Sequence, residues 1–306
     1  MDKKRNETKI RNDYLLFIDT NIYLDTYRSR NEASISLLKH LNGLLSIIIC
    51  TYQIEMEFKK NRQGVINKSL KNIGDISDIT SPAFLNDSSD VKVLNKAIGE
   101  AKSRIKKIKE RTRKTLSDPI TRDKVYKISQ AIFDNKSQYN LNRDNKIKVK
   151  IRRLAKKRFI LGYPPRKEKD TSIGDAINWE WIIECAIISK KNILVVTHDY
   201  DYGIKCINDW LLKEFQDRVA KRRKIELFQK LSEAYQFLSI PITKEEEKSE
   251  TESAITPYAA VFENYYNVMP KSFSAGFQKI MGDYNSKFPN EISDIEPAGD
   301  QPIVKK

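Results

Sequence analysis

Histidine is scarce in this chain, with two residues, His40 and His198, among 306. A zinc triad has almost nothing to draw on. His40 lies in an apolar helical context and reads as structural, whereas His198 adjoins Asp199. Cysteine is nearly as rare. Cys50, Cys185 and Cys206 are odd in number, and no two share a CxxC spacing. Neither a disulfide framework nor a structural zinc site is expected, and a reduced, cytoplasmic compartment fits. No run of about 18 apolar residues occurs, so no transmembrane helix and no membrane partner are expected. The polar start MDKKRNETKIRND is not a secretory signal. A GxSxG nucleophile elbow and a GxxxxGK phosphate loop are both missing, which removes two further families of chemistry.

Positive charge, by contrast, is abundant. The net charge is +15 and the pI is near 9.5, a balance that favours a polyanionic partner such as nucleic acid. Residues 67–160 hold 25 Lys and Arg against 10 Asp and Glu, so they carry the whole excess. The remainder of the chain is formally neutral. Within this insert, Val91, Leu94, Ile98, Ala101, Ile105 and Ile108 recur at alternating steps of three and four. That is one face of an amphipathic helix, with Lys and Arg on the other. Pro119 after Ser117-Asp118 marks a new helix start, running to about Phe133, and a third helix is expected over 147–159. Helices this basic are either solvated faces or nucleic-acid contacts, and the concentration of charge favours the second.

Outside the insert the pattern is that of an α/β sheet. Residues 14–18, 45–50 and 193–197 are short apolar runs rich in Ile, Val and Leu, each followed by a helical pattern. Buried parallel strands read this way. A further short strand is expected at Leu227 or Phe228. After Pro241, TKEEEKSETES reads as a polar linker. Residues 254–306 carry aromatics that could anchor a small helix, with a disordered end from Lys287. The expected division is 1–66 and 161–245 as two halves of one domain, 67–160 as a basic helical insert, and 246–306 as linker and tail.

Ligands in open α/β sheets bind at the carboxyl ends of the strands, so the acids there are the candidates. Asp19 follows Leu15-Leu16-Phe17-Ile18 directly, and Asp199 follows the run that ends at Thr197. Glu55 and Glu57 lie on the helix after the second strand, and Asp175 opens an apolar helix. Each has an ordinary explanation. Asp19 can be a helix cap, Asp175 a first-turn acid and Asp199 a turn former. Four carboxylates at one sheet edge would repel and raise one another's pKa values. A hard divalent cation such as Mg²⁺ removes that conflict. Asp25, later in the same opening segment, has no such company and reads as surface.

The order FIDTNIYLD, TYQIEMEFKKNR, GYPPRKEKDTSIGDAINW and ILVVTHDYDYG resembles the motif series of PIN-like domain nucleases, in particular their large-insert bacterial branch. The resemblance implies a Rossmann-like parallel sheet flanked by helices, interrupted by the basic insert. It implies an acidic metal-binding quartet of Asp19, Glu57, Asp175 and Asp199, with Glu55 competing for the second place and Asp170 and Asp201 as further acids. Thr20, Asn21 and Thr197 would support the ligands. Arg62 would touch a phosphate or form a structural ion pair, and Trp179 and Trp181 would belong to the core. His198 stands where the pattern is variable, so its part stays open. The implied activity is Mg²⁺- or Mn²⁺-dependent endoribonuclease cleavage leaving a 5′-phosphate and a 3′-hydroxyl. The insert, through Arg152, Arg153, Lys156 and Lys157, would hold the RNA backbone. Cleavage of branched or single-stranded DNA is the alternative, and a non-catalytic nucleic-acid-binding module is a third. A toxin or phage-defence role, with an inhibitor or regulatory protein as partner, is also implied.

Overall fold

The computed structural model describes residues 11–250, apart from 72, 79, 86–87 and 167–171. In chain order the elements are β1 (Tyr14–Ile18), α1 (Thr20–Asp25), α2 (Ala33–Lys39), β2 (Ile48–Thr51), α3 (Tyr52–Lys71), α4 (Ser89–Ser117), α5 (Pro119–Arg122), α6 (Lys124–Phe133), β3 (Asn140–Leu141), α7 (Lys148–Leu161), α8 (Gly174–Ser189), β4 (Asn192–Val196), α9 (Asp209–Arg218), β5 (Ile225–Phe228) and α10 (Leu231–Phe237). The strands form a parallel five-stranded sheet in the order β3-β2-β1-β4-β5. β1 is central and all five of its residues are buried, because helices cover both faces of such a sheet. Helix α8 is apolar nearly all round, with Trp179 and Trp181 inside the core. Among the described residues no helix is long and apolar enough to cross a membrane.

The expected α/β sheet is present, with shifted edges. β2 begins at Ile48 rather than Leu45, and β5 begins at Ile225. The insert 67–160 is helical and packs on the body at several places. α3 runs through position 71, β3 pairs with β2, and α6 buries Val125, Ile128, Ile132 and Phe133. α7 is joined to the body by a buried ionic cluster. Arg158 Nε donates to Glu180 Oε1 at 2.9 Å and its Nη2 to Glu214. Arg218 Nη2 reaches Glu180 Oε2 at 2.7 Å, and Trp179 Nε1 donates to Glu214 Oε2 at 3.0 Å. The basic composition concealed these contacts, since charge counts do not separate a paired Arg from a solvated one. Only α4, among the longer helices of the insert, buries no residue.

Arg62 takes the second of its two expected parts, a structural ion pair rather than a phosphate contact. It is buried, with Nε and Nη2 donating to Asp123 Oδ2 at 2.9 and 2.6 Å and Nη2 to the Thr115 carbonyl at 3.0 Å. The polar stretch after Pro241 packs on the body instead of leaving it. Thr243 and Glu246 cap one another, Thr243 N–H to Glu246 Oε2 at 2.8 Å and Glu246 N–H to Thr243 Oγ1 at 3.2 Å. This is a reciprocal capping box, T-K-E-E in the sequence. His40 then bonds Glu246 at 3.1 Å, and Ser249 is buried. His40 is structural, as expected. The tail expectations lie outside the described residues.

The Arg62–Asp123 pair supplies a stability test. Asp123→Ala leaves the Arg62 charge buried without its partner, and also removes the cap on α6, where Asp123 Oδ1 accepts from Tyr126 N–H at 3.0 Å. Urea denaturation is expected to show a loss of about 3–5 kcal/mol, with a smaller loss for the double apolar replacement Arg62→Met with Asp123→Leu. A loss below about 1 kcal/mol for Asp123→Ala would place the pair in the solvated class.

Candidate functional site

The sheet order reverses direction between β1 and β4, which makes their carboxyl ends the topological switch point where α/β sheets bind ligands. In register, Ile18 lies opposite Val196. The next residues, Asp19 and Thr197, therefore sit side by side, and Asp19 N–H donates to the Val196 carbonyl at 2.9 Å. Thr197 Oγ1 donates to Asp19 Oδ2 at 2.6 Å, and Asn21 Nδ2 donates to the same oxygen at 2.7 Å. The other oxygen, Oδ1, accepts from Thr20 N–H at 2.6 Å, which caps α1. The cap reading of Asp19 holds. Thr197 also accepts from Asp199 N–H at 2.9 Å, and Asp199 Oδ1 accepts from Asp201 N–H at 3.1 Å. One threonine thus orients two of the acids.

Glu57 enters from α3. Thr20 Oγ1 donates to Glu57 Oε2 at 3.2 Å, and Gln53 Nε2 to Oε1 at 2.7 Å. Glu55 instead faces outward in an ion pair with Lys59 at 2.6 Å. Helix α8 arrives at the same place. A Cβ on Gly174 would lie 2.6 Å from Glu57 Oε1 and 2.7 Å from Gln53 Nε2, so any side chain here would displace the ends of Glu57 and Gln53. Asp175 is the next residue. Asp170 lies outside the described residues.

The structure adds Tyr202, which the sequence reading passed over. Its ring is buried, stacked on Phe17 at 6.3 Å and edge-on to Trp179 at 6.2 Å. Burial pushes its phenol pKa well up, and the charges of Asp175, Asp19, Asp199 and Glu57 all push the same way. Among the described residues its hydroxyl is buried without a hydrogen-bond partner. It lies within electrostatic range of the four acids. Asp-Tyr-Asp-Tyr-Gly in the sequence drew attention to its carboxylates, and an aromatic amid acids carries no comparable signal.

Asp19 shows the electrostatic cost. Burial raises its pKa from 3.8 to about 6, Asp199 and Glu57 add to the rise, and the bonds from Thr197 and Thr20 oppose it. The charges acting on this carboxyl are thus other carboxylates. In donor type and charge the set fits a hard, oxygen-seeking divalent cation. Among the described residues, no three acidic, His or Cys side chains stand close enough to hold an ion as placed. Their oxygens are engaged by Thr20, Asn21, Gln53 and Thr197 instead.

Asp25 is not a surface residue. It is buried at the end of α1, where His198 Nε2 meets its Oδ2 at 2.6 Å and Arg28 pairs with its Oδ1. Its partner His198 is 173 residues away in sequence, across the switch point, which is why spacing did not reveal it. This pair ties the end of α1 to the loop carrying Asp199.

A protein-family model described as the PIN domain matches residues 16–202, more than half of the chain. No curated protein and no solved structure matches it.

Two tests follow from this geometry. The Asp19 carboxyl titrates near 3.8 unfolded and near 6 folded. Between those values the folded chain holds a proton that the unfolded chain releases, so this group's contribution to stability falls as pH rises from 3.8 to 6 and is constant above. In EDTA at pH 7, Asp19→Asn is expected to raise the unfolding free energy by about 1–3 kcal/mol and to flatten that pH dependence. Equal slopes in the two proteins would disprove the buried, repelled state. Separately, Gly174→Ala collides only with the flexible ends of Glu57 and Gln53. It should leave stability within about 1 kcal/mol while lowering Mn²⁺ affinity by roughly 10–100-fold, both read by calorimetry. Unchanged Mn²⁺ affinity would remove Glu57 from the site.

Proposed function

The chain belongs to the PIN domain family, and we propose that it is a Mg²⁺- or Mn²⁺-dependent endoribonuclease whose acidic site is Asp19, Glu57, Asp175 and Asp199. PIN domains are generally nucleases that use divalent metals. The observation that supports the reading is the hydrogen-bonded cluster at the switch point, where Thr197 links Asp19 to Asp199 and Thr20 links Asp19 to Glu57.

Each residue has a part. Asp19 and Asp199 are aimed by Thr197, Asp19 also by Asn21, and Glu57 by Thr20 and Gln53. Asp175 is presented by the first turn of α8, and Asp201 stands behind Asp199. When bound, the metal supplies an activated water and stabilises charge on the phosphodiester. The scarcity of histidine is compatible with that division of labour, because no side chain needs to serve as general base. The substrate's phosphates would be held away from the acids, by Arg152, Arg153, Lys156 and Lys157 on the exposed face of α7. Among the described residues these four have no ion-pair partner, whereas Lys102, Lys109 and Arg113 of α4 are paired with Asp78, Asp75 and Glu110. Open charge is what a polyanion can use.

Cleavage of mixed RNA with Mg²⁺ or Mn²⁺ is the test. Asp19→Asn and Asp199→Asn are each expected to lower the rate by more than about 100-fold, beyond the loss typical of residues that only support a ligand, and EDTA should abolish it. Full activity in both variants would reject the site. Matched RNA and DNA oligonucleotides assayed together assign the polymer, and preferential cleavage of DNA would overturn the ribonuclease reading.

A further inference from the structure

Beside the acidic cluster the fold presents an aromatic pair to solvent. Gly162, with φ 71°, ends α7 in the left-handed conformation, and Tyr163 follows it. Trp210 lies in the first turn of α9. The two ring centroids are 5.2 Å apart with planes tilted by 46°. Trp210 is 49% exposed and Tyr163 38%, whereas Trp179 and Trp181 are in the core. Aromatic surface of this size left in water, on a fold that buries its other tryptophans, is a candidate contact surface.

The backbone ties this pair to the acid site. After Tyr202 the chain doubles back through Gly203, at φ 136°, where a Cβ would come within 1.9 Å of the Cys206 carbonyl. No other residue type can make that turn. Asn208 N–H then donates to the Tyr202 carbonyl at 2.7 Å, and Asn208 Oδ1 accepts from Trp210 N–H at 2.9 Å. Trp210 is thus two bonded steps from Tyr202, in the loop that carries Asp199 and Asp201. Tyr163 is fixed from the other side. Arg158 donates to the Pro164 carbonyl and to Glu214, one turn beyond Trp210 on α9.

The helix that ends just before Tyr163, α7, also carries the exposed basic row. Arg152 and Lys156, and likewise Arg153 and Lys157, are four residues apart and line up along the helix. The row ends at Lys157, six residues before Tyr163. At its other end Arg152 lies close enough to act on the Tyr52 hydroxyl at the head of α3, the helix that carries Glu57.

We propose that Tyr163 and Trp210 form a base-stacking platform for single-stranded RNA, with the α7 row as its phosphate track. Stacking on aromatic faces accepts any base, because every base has a π face. A duplex keeps its bases inside and offers only backbone and groove. The platform therefore selects unpaired strands without reading sequence. The assignment of RNA as the strand rests on the nuclease reading above, while the binding itself needs no cleavage.

The experiment uses the whole chain in EDTA, with short fluorescent RNAs of uridine or adenosine and a duplex of equal length, read by anisotropy. Trp210→Ala and Tyr163→Ala are each expected to weaken single-strand binding about ten-fold, to leave duplex binding unchanged and to keep the salt dependence. Trp210→Phe and Tyr163→Phe should bind like the wild type. Tryptophan fluorescence, with Trp210 as the exposed reporter, should be quenched by the single strand. Changing Arg152, Arg153, Lys156 and Lys157 to Gln together should instead flatten the salt dependence. Unchanged single-strand affinity in both alanine variants, an equal loss on the duplex, or no single-strand binding by the wild type would overturn the platform. A dimer that Trp210→Ala dissolves, with no RNA bound, would also overturn it and make the pair a protein interface. Cleavage with Mn²⁺ is scored separately. Stacking without cleavage leaves the platform standing and removes the nuclease reading, while cleavage indifferent to both alanines removes the platform alone.

Discussion

In the parallel pairing of β1 with β4, Ile18 lies opposite Val196, and the first residues beyond them, Asp19 and Thr197, meet in a 2.6 Å hydrogen bond. The site depends on that register. A slip by one residue would turn each side chain to the opposite face and part Asp19 from the threonine that also orients Asp199. The register is itself set by the apolar core. Leu15 to Ile18 and Ile193 to Val196 are fully buried, so no shifted pairing can keep them out of water. Packing energy distributed over two strands thereby positions two carboxylates that would otherwise repel.

The same arrangement separates opposite charges. A chain with net charge +15 would be expected to neutralise its acids, and elsewhere it does. Glu180 and Glu214 share Arg158 and Arg218, and Asp123 holds Arg62. Among the described residues, Asp19 and Glu57 are instead oriented by hydroxyls and amides from Thr20, Asn21, Gln53 and Thr197. Neutral donors fix direction without cancelling charge. At Asp19 that leaves a costly carboxylate, as its raised pKa records, and a charged ligand can lower the cost. A binding site that stores unfavourable energy in this way differs from a structural ion pair in the sign of its need.

Much of this was legible in the sequence because it is local. Strand and helix types follow from periods of two and 3.6, and Asp19, Asp175 and Asp199 each sit at an element boundary that composition marks. The parts that were not legible are relations between segments. Arg62 and Arg152 look alike as letters. One is buried against Asp123 from the other end of the insert, and the other is exposed on α7. Asp25 looked like surface because its partner His198 comes from a distant strand end. The docking of the insert was hidden because Lys and Arg far outnumber Asp and Glu in it, although its apolar positions are the ones that dock α6 and α7. One miss was avoidable. The capping box at Thr243–Glu246 is a sequence signal, masked by the polar composition around it.

Docking of the insert has a consequence for the site. A substrate track on a loosely tethered arm could hold RNA, but could not place one phosphodiester against a fixed set of carboxylates. Misplacement by about 1 Å can cost on the order of 100-fold in rate. α7 is not loosely tethered. Arg158, buried on α7, bonds Glu180 of α8 and Glu214 of α9, and α8 begins with Gly174 against Glu57. The chain of contacts from the exposed basic row to the acids is therefore made of helices in direct ionic or steric contact. A buried ion pair adds little net stability over an apolar contact, yet it tolerates only one geometry. Buried pairs of this kind are suited to setting the distance between the exposed basic row of α7 and the carboxylates at the switch point.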